Sequence, residues 1–143
     1  MPHSDLQPGL MFCQSIVVDE RLTGLALSRN FAGLGDMPPV FATPFMVGLV
    51  EWTCVEGLRP YLLKGEHTVG TLIDMSHVAA SPVGVTVSAQ VRLLAVVGRK
   101  LRFLVSCHDE HEVVGKGCHE RTLIQSATFT RRAGMKRGYV AMA

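Results

Sequence analysis

One apolar stretch decides the fold: Thr43-Pro-Phe-Met-Val-Gly-Leu-Val-Glu51-Trp-Thr-Cys-Val-Glu-Gly-Leu58. It predicts a helix because Thr43 is a good N-cap and Pro44 suits the first helical position, where its missing N–H costs nothing. Pro60 requires the helix to end before it. A helix this apolar needs a second layer of structure in which to bury its side chains.

A single acid interrupts the apolar part of this helix. Glu51 shares a helical face with Val47, Gly48, Cys54 and Val55. A lone buried carboxylate is costly, so this one must be solvated, paired or protonated. Acids in such surroundings are common at functional sites. The pattern leaves open whether Glu51 belongs to a site or faces solvent.

Strands dominate the rest of the chain. Alternating and β-branched residues predict strands over 10–18, 68–78, 83–97, 100–107 and 113–129. Short turns between successive strands predict antiparallel hairpins. The fold class is therefore α+β. One antiparallel sheet wrapped around one long central helix resembles the hot-dog fold, whose subunits pair edge to edge, so we expect a homodimer.

Two segments depart from this regular pattern within a single expected domain over 1–143. Glycines and prolines interrupt residues 19–39, and so long a connection is typical of a lid or binding loop. Residues 131–143 carry Arg131, Arg132, Lys136 and Arg137 among glycines. They are predicted to form a flexible basic tail, which could also attract a phosphate-bearing ligand.

Composition excludes several classes of protein. Hydrophobic residues make up 48% of the 143 residues and charged residues 18%, as in a folded domain. The net charge of +2 is too small to indicate a nucleic-acid partner. No run approaches the roughly 18 apolar residues of a membrane span, and the first residues do not resemble a secretory signal. We expect neither a nucleic-acid nor a membrane partner.

The cysteines and histidines do not predict a metal site. Cys13, Cys54, Cys107 and Cys118 lack CxxC spacing, so we expect reduced thiols in a cytoplasmic protein. The cluster from His108 to His111 lies at a polar break between strands, where a solvated turn is expected rather than metal ligands.

Three stretches resemble the fluoroacetyl-CoA thioesterase family. They are Val40-Phe-Ala-Thr43-Pro-Phe-Met-Val-Gly-Leu-Val-Glu51-Trp-Thr-Cys, Gly70-Thr-Leu-Ile-Asp-Met-Ser-His77-Val-Ala-Ala-Ser-Pro-Val-Gly84-Val-Thr-Val and Gly117-Cys-His-Glu-Arg121. The resemblance implies a hot-dog dimer that hydrolyses acyl-CoA thioesters, with coenzyme A as part of the substrate and no other cofactor. It implies that Thr43, Glu51 and His77 are catalytic and that Gly70 and Arg121 contact the ligand.

These residue types suit thioester hydrolysis. Glu51 can activate water or attack the carbonyl carbon itself. His77, with an ordinary pKa near 6.5, can carry the proton. Thr43 can hold the carboxylate or the substrate carbonyl, or serve only as the N-cap. Each residue also has a purely structural reading: a core histidine at 77, a β-bulge at Gly70 and an exposed charge at Arg121.

The lid segment departs from the resemblance. The family covers the acyl group with aromatic side chains, whereas this chain offers Leu34 and Met37, with Phe31 as the nearest ring. We expect Leu34 and Met37 to contact the substrate. One small substituent in an apolar pocket is discriminated by only about 1–3 kcal/mol, so the preferred acyl group stays open.

Two other functions share the expected fold. A hot-dog hydratase or dehydratase would need an Asp and a His together, and Asp74 and His77 are predicted to face opposite sides of a strand. A non-catalytic acyl-CoA binding module would need the pocket without Glu51 and His77.

Overall fold

A five-stranded antiparallel sheet curls around one long helix in the computed structural model, which describes residues 2–142 and the side chains of residues 3–138. The helices are α1 (Thr43–Leu58) and α2 (Ser126–Met142). The strands are β1 (Met11–Val17), β2 (Glu66–Met75), β3 (Thr86–Val97), β4 (Lys100–His108) and β5 (Val113–Gln125). Their order across the sheet is β1-β3-β4-β5-β2.

The core lies between α1 and the inner face of the sheet. Buried and more exposed residues alternate along β3 and β4, as they do on strands that are covered on one face. The inner face supplies Val87, Ala89, Val91, Leu93, Leu101, Phe103, Val105 and Cys107. The helix supplies Met46, Leu49, Val50, Cys54 and Leu58. The predicted α+β hot-dog arrangement is confirmed.

The position of β2 differs from the prediction of successive hairpins. β3, β4 and β5 do form consecutive hairpins, but β2 pairs with β5 and β3 pairs with β1. Residues 76–85 therefore cross from one part of the sheet to another instead of making a turn. The sequence shows each strand's pattern but not its partner, because pairing depends on residues far apart in the chain. β1 and β2 form the two edges of the sheet.

The C-terminal region also differs from the prediction. The last strand ends at Gln125 rather than near residue 129, and α2 begins at once. The Gln125 side chain accepts a hydrogen bond from the Ala127 backbone N–H at 3.3 Å, so it caps the new helix. The predicted flexible basic tail spans residues 131–143; residues 131–142 continue this helix, and residue 143 lies outside the described residues. None of the described helices is long and apolar enough to cross a membrane.

Segment 19–39 has more local structure than its irregular sequence predicts. It contains three 3₁₀ helices, Glu20–Leu22, Gly24–Leu27 and Leu34–Asp36. Each is a single short turn, as glycine-interrupted sequence allows. The segment packs near the start of α1, where the Ala42 N–H donates to the Leu22 carbonyl at 2.9 Å.

One glycine in α1 is required by packing. A Cβ built on Gly57 would lie 2.1 Å from Phe12 Cγ, so the Phe12 ring of β1 packs directly on the helix backbone. A Cβ built on Gly48 would meet nothing within 4 Å. The same residue type therefore has opposite packing requirements at two positions of one helix.

We predict that Gly57→Ala lowers the free energy of unfolding by about 1–3 kcal/mol, because overpacking outweighs the better helix propensity of alanine. Gly48→Ala, with the same propensity gain and open space, should leave the protein unchanged or stabilise it by up to about 1 kcal/mol. Urea denaturation followed by circular dichroism measures both. Equal effects of the two substitutions would contradict the packing argument.

Candidate active site

Thr43 and His77 form a hydrogen-bonded pair at the start of α1. The Thr43 Oγ1 lies 2.6 Å from His77 Nδ1. Thr43 is the first residue of the helix, Ala42 occupies the N-cap, and none of the described side chains caps the helix there. The prediction of Thr43 as the N-cap is therefore wrong: its hydroxyl faces the imidazole instead. His77 lies two residues beyond β2, not on a strand as predicted.

Backbone hydrogen bonds hold the two loops that carry this pair. The Phe41 N–H donates to the Ser81 carbonyl at 2.8 Å, which joins the residues before α1 to the loop after β2. The buried Ser81 hydroxyl in turn donates to Asp109 Oδ2 at 2.9 Å. Asp109 also accepts from the backbone N–H groups of His111 and Glu112, so it organises the β4–β5 turn.

A largely apolar cavity of about 430 Å³ opens beside Thr43 and His77, and we call it the lid cavity. Leu34 and Met37 from segment 19–39 line it, and their contact with the substrate stays a prediction. Its remaining walls are Gly24, Leu27, Pro38, Val40, Phe41, Ala42 and Pro44. Phe31 is 58% exposed. The lid cavity thus joins one polar pair to an aliphatic surface.

Burial sets the charge of His77. Its pKa is lowered from the ordinary value by desolvation, which a hydrogen bond with the Ala79 backbone partly opposes. The imidazole is therefore neutral at pH 7. A neutral ring has one nitrogen that accepts a proton and one that donates, which suits proton transfer.

Glu51 faces the sheet and pairs with Arg121 of β5. Its Oε2 accepts a hydrogen bond from Arg121 Nη1 at 2.9 Å. The guanidinium is 3% exposed, whereas the Glu51 side chain is 42% exposed. Arg121 also donates to the hydroxyl and the carbonyl of Thr68, both at 2.8 Å. The carboxylate is therefore held in place while one side stays open to solvent.

Gly70 provides the space that Glu51 occupies. A Cβ at this position would lie 2.6 Å from Glu51 Oε2 and 3.2 Å from His119 Cε1. Gly70 pairs with Arg121 across the sheet, and the register shifts between Gly70 and Leu72. The register shift agrees with a β-bulge at this point, and the group that approaches the Gly70 backbone is the Glu51 carboxylate. Contact between Gly70 and the ligand stays a prediction.

His119 is a site residue that the sequence analysis did not single out. It is 1% exposed on β5, and its Nδ1 lies 2.7 Å from the Leu72 carbonyl. A carbonyl only accepts, so Nδ1 carries the proton and Nε2 accepts from Arg121 Nη1 at 3.1 Å. Desolvation, with a smaller contribution from the Arg121 charge, lowers the pKa of His119. The sequence does contain a sign of its role: it lies two residues before Arg121 on the same strand, so both side chains face the same side of the sheet.

The predicted site residues form two groups. Thr43 and His77 lie with Leu34 and Met37 around the lid cavity. Glu51 and Gly70, with His119 and four other residues, line a second cavity of about 210 Å³ at the β2 edge, the edge cavity. Eight residues of helix separate Thr43 from Glu51, which is about 12 Å along the axis of α1. The three predicted catalytic side chains are therefore not gathered around one point of a single chain.

We predict that the free energy of unfolding falls as the pH drops below about 6.5, the ordinary pKa of histidine in an unfolded chain. Folded His119 and His77 have lowered pKa values, so the unfolded chain binds protons first and is favoured in acid. Denaturant titrations between pH 8 and pH 5 measure the slope. His119→Gln should reduce it, whereas His108→Gln, at an exposed position, should not. An unchanged slope in His119→Gln would contradict the argument.

Known proteins resemble this chain over nearly its whole length. The family model described as FlK, fluoroacetyl-CoA-specific thioesterase, matches residues 26–127. A fluoroacetyl-CoA thioesterase of Streptantibioticus cattleyicolor is 40% identical over 131 residues, which cover 92% of this chain and 94% of that protein. A crystal structure of FlK is 40% identical and has a TM-score of 0.88, covering 92% of this chain and 97% of that one.

A more distant structure shares the fold. A Thermus thermophilus member of the thioesterase superfamily is 22% identical and has a TM-score of 0.84, covering 96% of this chain and 98% of that one. The matched residues 26–127 include both groups of site residues, from Leu34 to Arg121. With the family model and the 40% identity in agreement, this chain belongs to the family of the fluoroacetyl-CoA-specific thioesterase FlK.

Proposed function

We propose that this chain is an acyl-CoA thioesterase that hydrolyses a short acyl-CoA to the free acid and coenzyme A. The observation that carries the proposal is the neutral Thr43–His77 pair in the wall of an apolar cavity, within a chain that also orients Glu51 through Arg121. Thioester hydrolysis needs an attacking group, a proton carrier and a donor to the oxyanion. These side chains supply all three.

Each residue has a role in the proposed reaction. Glu51 deprotonates the water that attacks the carbonyl carbon, or attacks that carbon itself to form an anhydride that water then hydrolyses, and Arg121 keeps its carboxylate oriented. His77 passes a proton from that water to the leaving thiolate, and the Thr43 hydroxyl binds the carbonyl oxygen. Gly70 leaves room for the Glu51 carboxylate, and Arg121 orients it; both residues contribute to the ligand site in this way. The Cys54 thiol, whose pKa burial raises to about 12, stays protonated and is no alternative nucleophile.

The lid cavity is proposed to receive the acyl group. Leu34 and Met37 offer an aliphatic, adaptable surface there. The relatives named above act on fluoroacetyl-CoA according to their names. In this chain the aliphatic wall supports a preference for short apolar acyl groups. A fluorine on the acyl group would be distinguished from a hydrogen by at most about 1–3 kcal/mol of binding free energy.

We further propose that the working unit is a homodimer whose sites draw on both chains. β2 is an edge strand, and Leu72 and Ile73 on it are 45% and 42% exposed. Antiparallel β2–β2 pairing about a two-fold axis near Ile73 would set Gly70 opposite Ser76 of the second chain. Glu51 of one chain would then lie close to His77 of the other, which removes the separation of about 12 Å within each chain.

The protein is proposed to act in the cytoplasm. All four cysteines are free thiols, and Cys54 and Cys107 are buried in the core. A reducing compartment keeps such thiols in this state.

We predict that Glu51→Gln and His77→Ala each reduce thiol release from short acyl-CoAs at least about 100-fold, as the loss of an acid–base group does. Thr43→Ala should reduce it about 10- to 100-fold, whereas Thr43→Ser, which keeps the hydroxyl, should retain most activity. Glu56→Gln changes an acid of α1 that pairs with Arg59 on the surface, and it is the matched control.

The same assay distinguishes the alternatives. Unchanged release in Glu51→Gln and His77→Ala would contradict the proposed roles. Tight acyl-CoA binding without release by the unaltered protein would indicate a binding module, and addition of water to an enoyl-CoA would indicate a hydratase. Mass spectrometry of the protein quenched during turnover separates the two roles of Glu51, because only a nucleophile retains the acyl group.

We predict that mixing the two most impaired variants, Glu51→Gln and His77→Ala, after denaturation and refolding together, restores about a quarter of the original activity. Half of the random dimers are mixed, and each has one of two sites intact. Light scattering confirms that the particles are dimers rather than 15.5 kDa monomers. No recovery in mixed dimers would show that each site is built from one chain.

A further inference from the structure

We infer that a basic cavity between the β3–β4 turn and α2 binds the phosphates and adenine of coenzyme A; this rests on the proposed acyl-CoA hydrolysis and adds its nucleotide subsite. The cavity has a volume of about 200 Å³. It is lined by Arg99, Ile124, Gln125, Thr128, Phe129 and Arg132. We call it the nucleotide cavity.

Two arginines from distant parts of the sequence converge on this cavity. Arg99 belongs to the turn between β3 and β4, and Arg132 lies in the second turn of α2. Among the described side chains, neither guanidinium has a carboxylate partner. The acids on nearby strands are already engaged, since Glu120 lies 3.9 Å from Lys100 and Glu66 lies 2.7 Å from His3. Two unpaired guanidiniums at one concave surface favour a multiply charged anion such as a phosphate.

The rest of the lining suits a nucleotide rather than a simple anion. Thr128 contributes a hydroxyl and Gln125 an amide, and both types of group bond to phosphate and sugar oxygens. Phe129 is 45% exposed, so one side of its ring is free to stack on adenine. Basic residues alone would bind any anion, whereas the aromatic ring adds a reason to bind a purine.

The cavity is built from elements that are fixed to one another. The Leu123 N–H donates to the Arg99 carbonyl at 2.8 Å, which joins the β3–β4 turn to β5. The Ser126 N–H donates to the Gly65 carbonyl at 2.9 Å, which fixes the start of α2 beside β2. The elements that carry Arg99 and Arg132 are therefore fixed in position relative to the sheet.

The cavity lies at a suitable separation from the proposed chemistry. Gln125 in its wall is four strand residues from Arg121, the partner of Glu51, which corresponds to about 13 Å along β5. Coenzyme A separates its thiol from its phosphates by the long pantetheine arm. A thioester at Glu51 would place that arm along the end of β5 and its phosphates near Arg99 and Arg132.

The test compares two double variants of equal charge. R99Q/R132Q removes both cavity arginines, and R131Q/R137Q removes two exposed arginines of α2 outside the cavity lining. We expect R99Q/R132Q to raise KM for acetyl-CoA about tenfold or more with kcat within about twofold, because the lost contacts bind substrate without touching the reacting atoms. KM for the acetyl thioester of pantetheine, which has no phosphates, should stay unchanged. R131Q/R137Q should behave as the unaltered protein with both substrates.

Three kinetic results would overturn the inference: an unchanged KM for acetyl-CoA in R99Q/R132Q, an equal rise for the pantetheine thioester, or an equal rise in R131Q/R137Q. Calorimetric binding of adenosine 3′,5′-bisphosphate tests the cavity without any hydrolysis. We expect binding that weakens with salt and is lost in R99Q/R132Q but not in R131Q/R137Q. Nucleotide binding without thiol release would show the proposed function to be wrong and the nucleotide cavity to be right. Thiol release that does not depend on Arg99 and Arg132 would show the reverse.

Discussion

The Arg121 guanidinium lies buried between α1 and the sheet, and its need for hydrogen-bond acceptors organises its surroundings. It is 3% exposed and finds acceptors in Thr68, Glu51 and His119. A buried charge without such partners would strongly destabilise the fold. The contact also requires a glycine at position 70, since a side chain there would collide with the Glu51 carboxylate. One buried cation thus explains an acid on an apolar helix and a glycine in a strand, and its charge adds to the desolvation that lowers the pKa of His119.

The site is divided between the first residue of α1 and a residue near the middle of the same helix. The first residue of α1 pairs with the loop after β2, and a residue two turns later pairs with β5. Because α1 is a rigid rod, both groups are fixed relative to the sheet but not brought to the same point. A second chain is therefore proposed to bring the two groups together. An exposed apolar edge strand lies beside the Glu51 group, and its pairing would bring the complementary group within reach.

Local patterns predicted most of the fold. The bounds of α1 agree with the predicted helix, and β3 and β4 agree with the predicted strands to within a few residues. The errors lie where a nonlocal contact competes with a local preference. Thr43 has the chemistry of an N-cap, but a histidine 34 residues later takes its hydroxyl. β2 has an ordinary strand pattern, which contains no information about its pairing with β5 instead of β3. The glycines of the basic C-terminal segment predict a flexible tail, but the segment continues α2.

By itself the sequence determined the long apolar helix, the strand-rich remainder and the family, together with Thr43, Glu51, His77, Gly70 and Arg121 as candidates. The helix and the strands follow from periodicity, a property of neighbouring residues, whereas the family and the candidates follow from the resemblance of three short stretches. The tertiary structure alone decided the partner of each candidate: His77 for Thr43, and Arg121, 70 residues away, for Glu51. It also decided that His119 belongs to the site and that Arg99 and Arg132 share a cavity. Such contacts join residues far apart in the chain, and only the packing of helix against sheet brings them together.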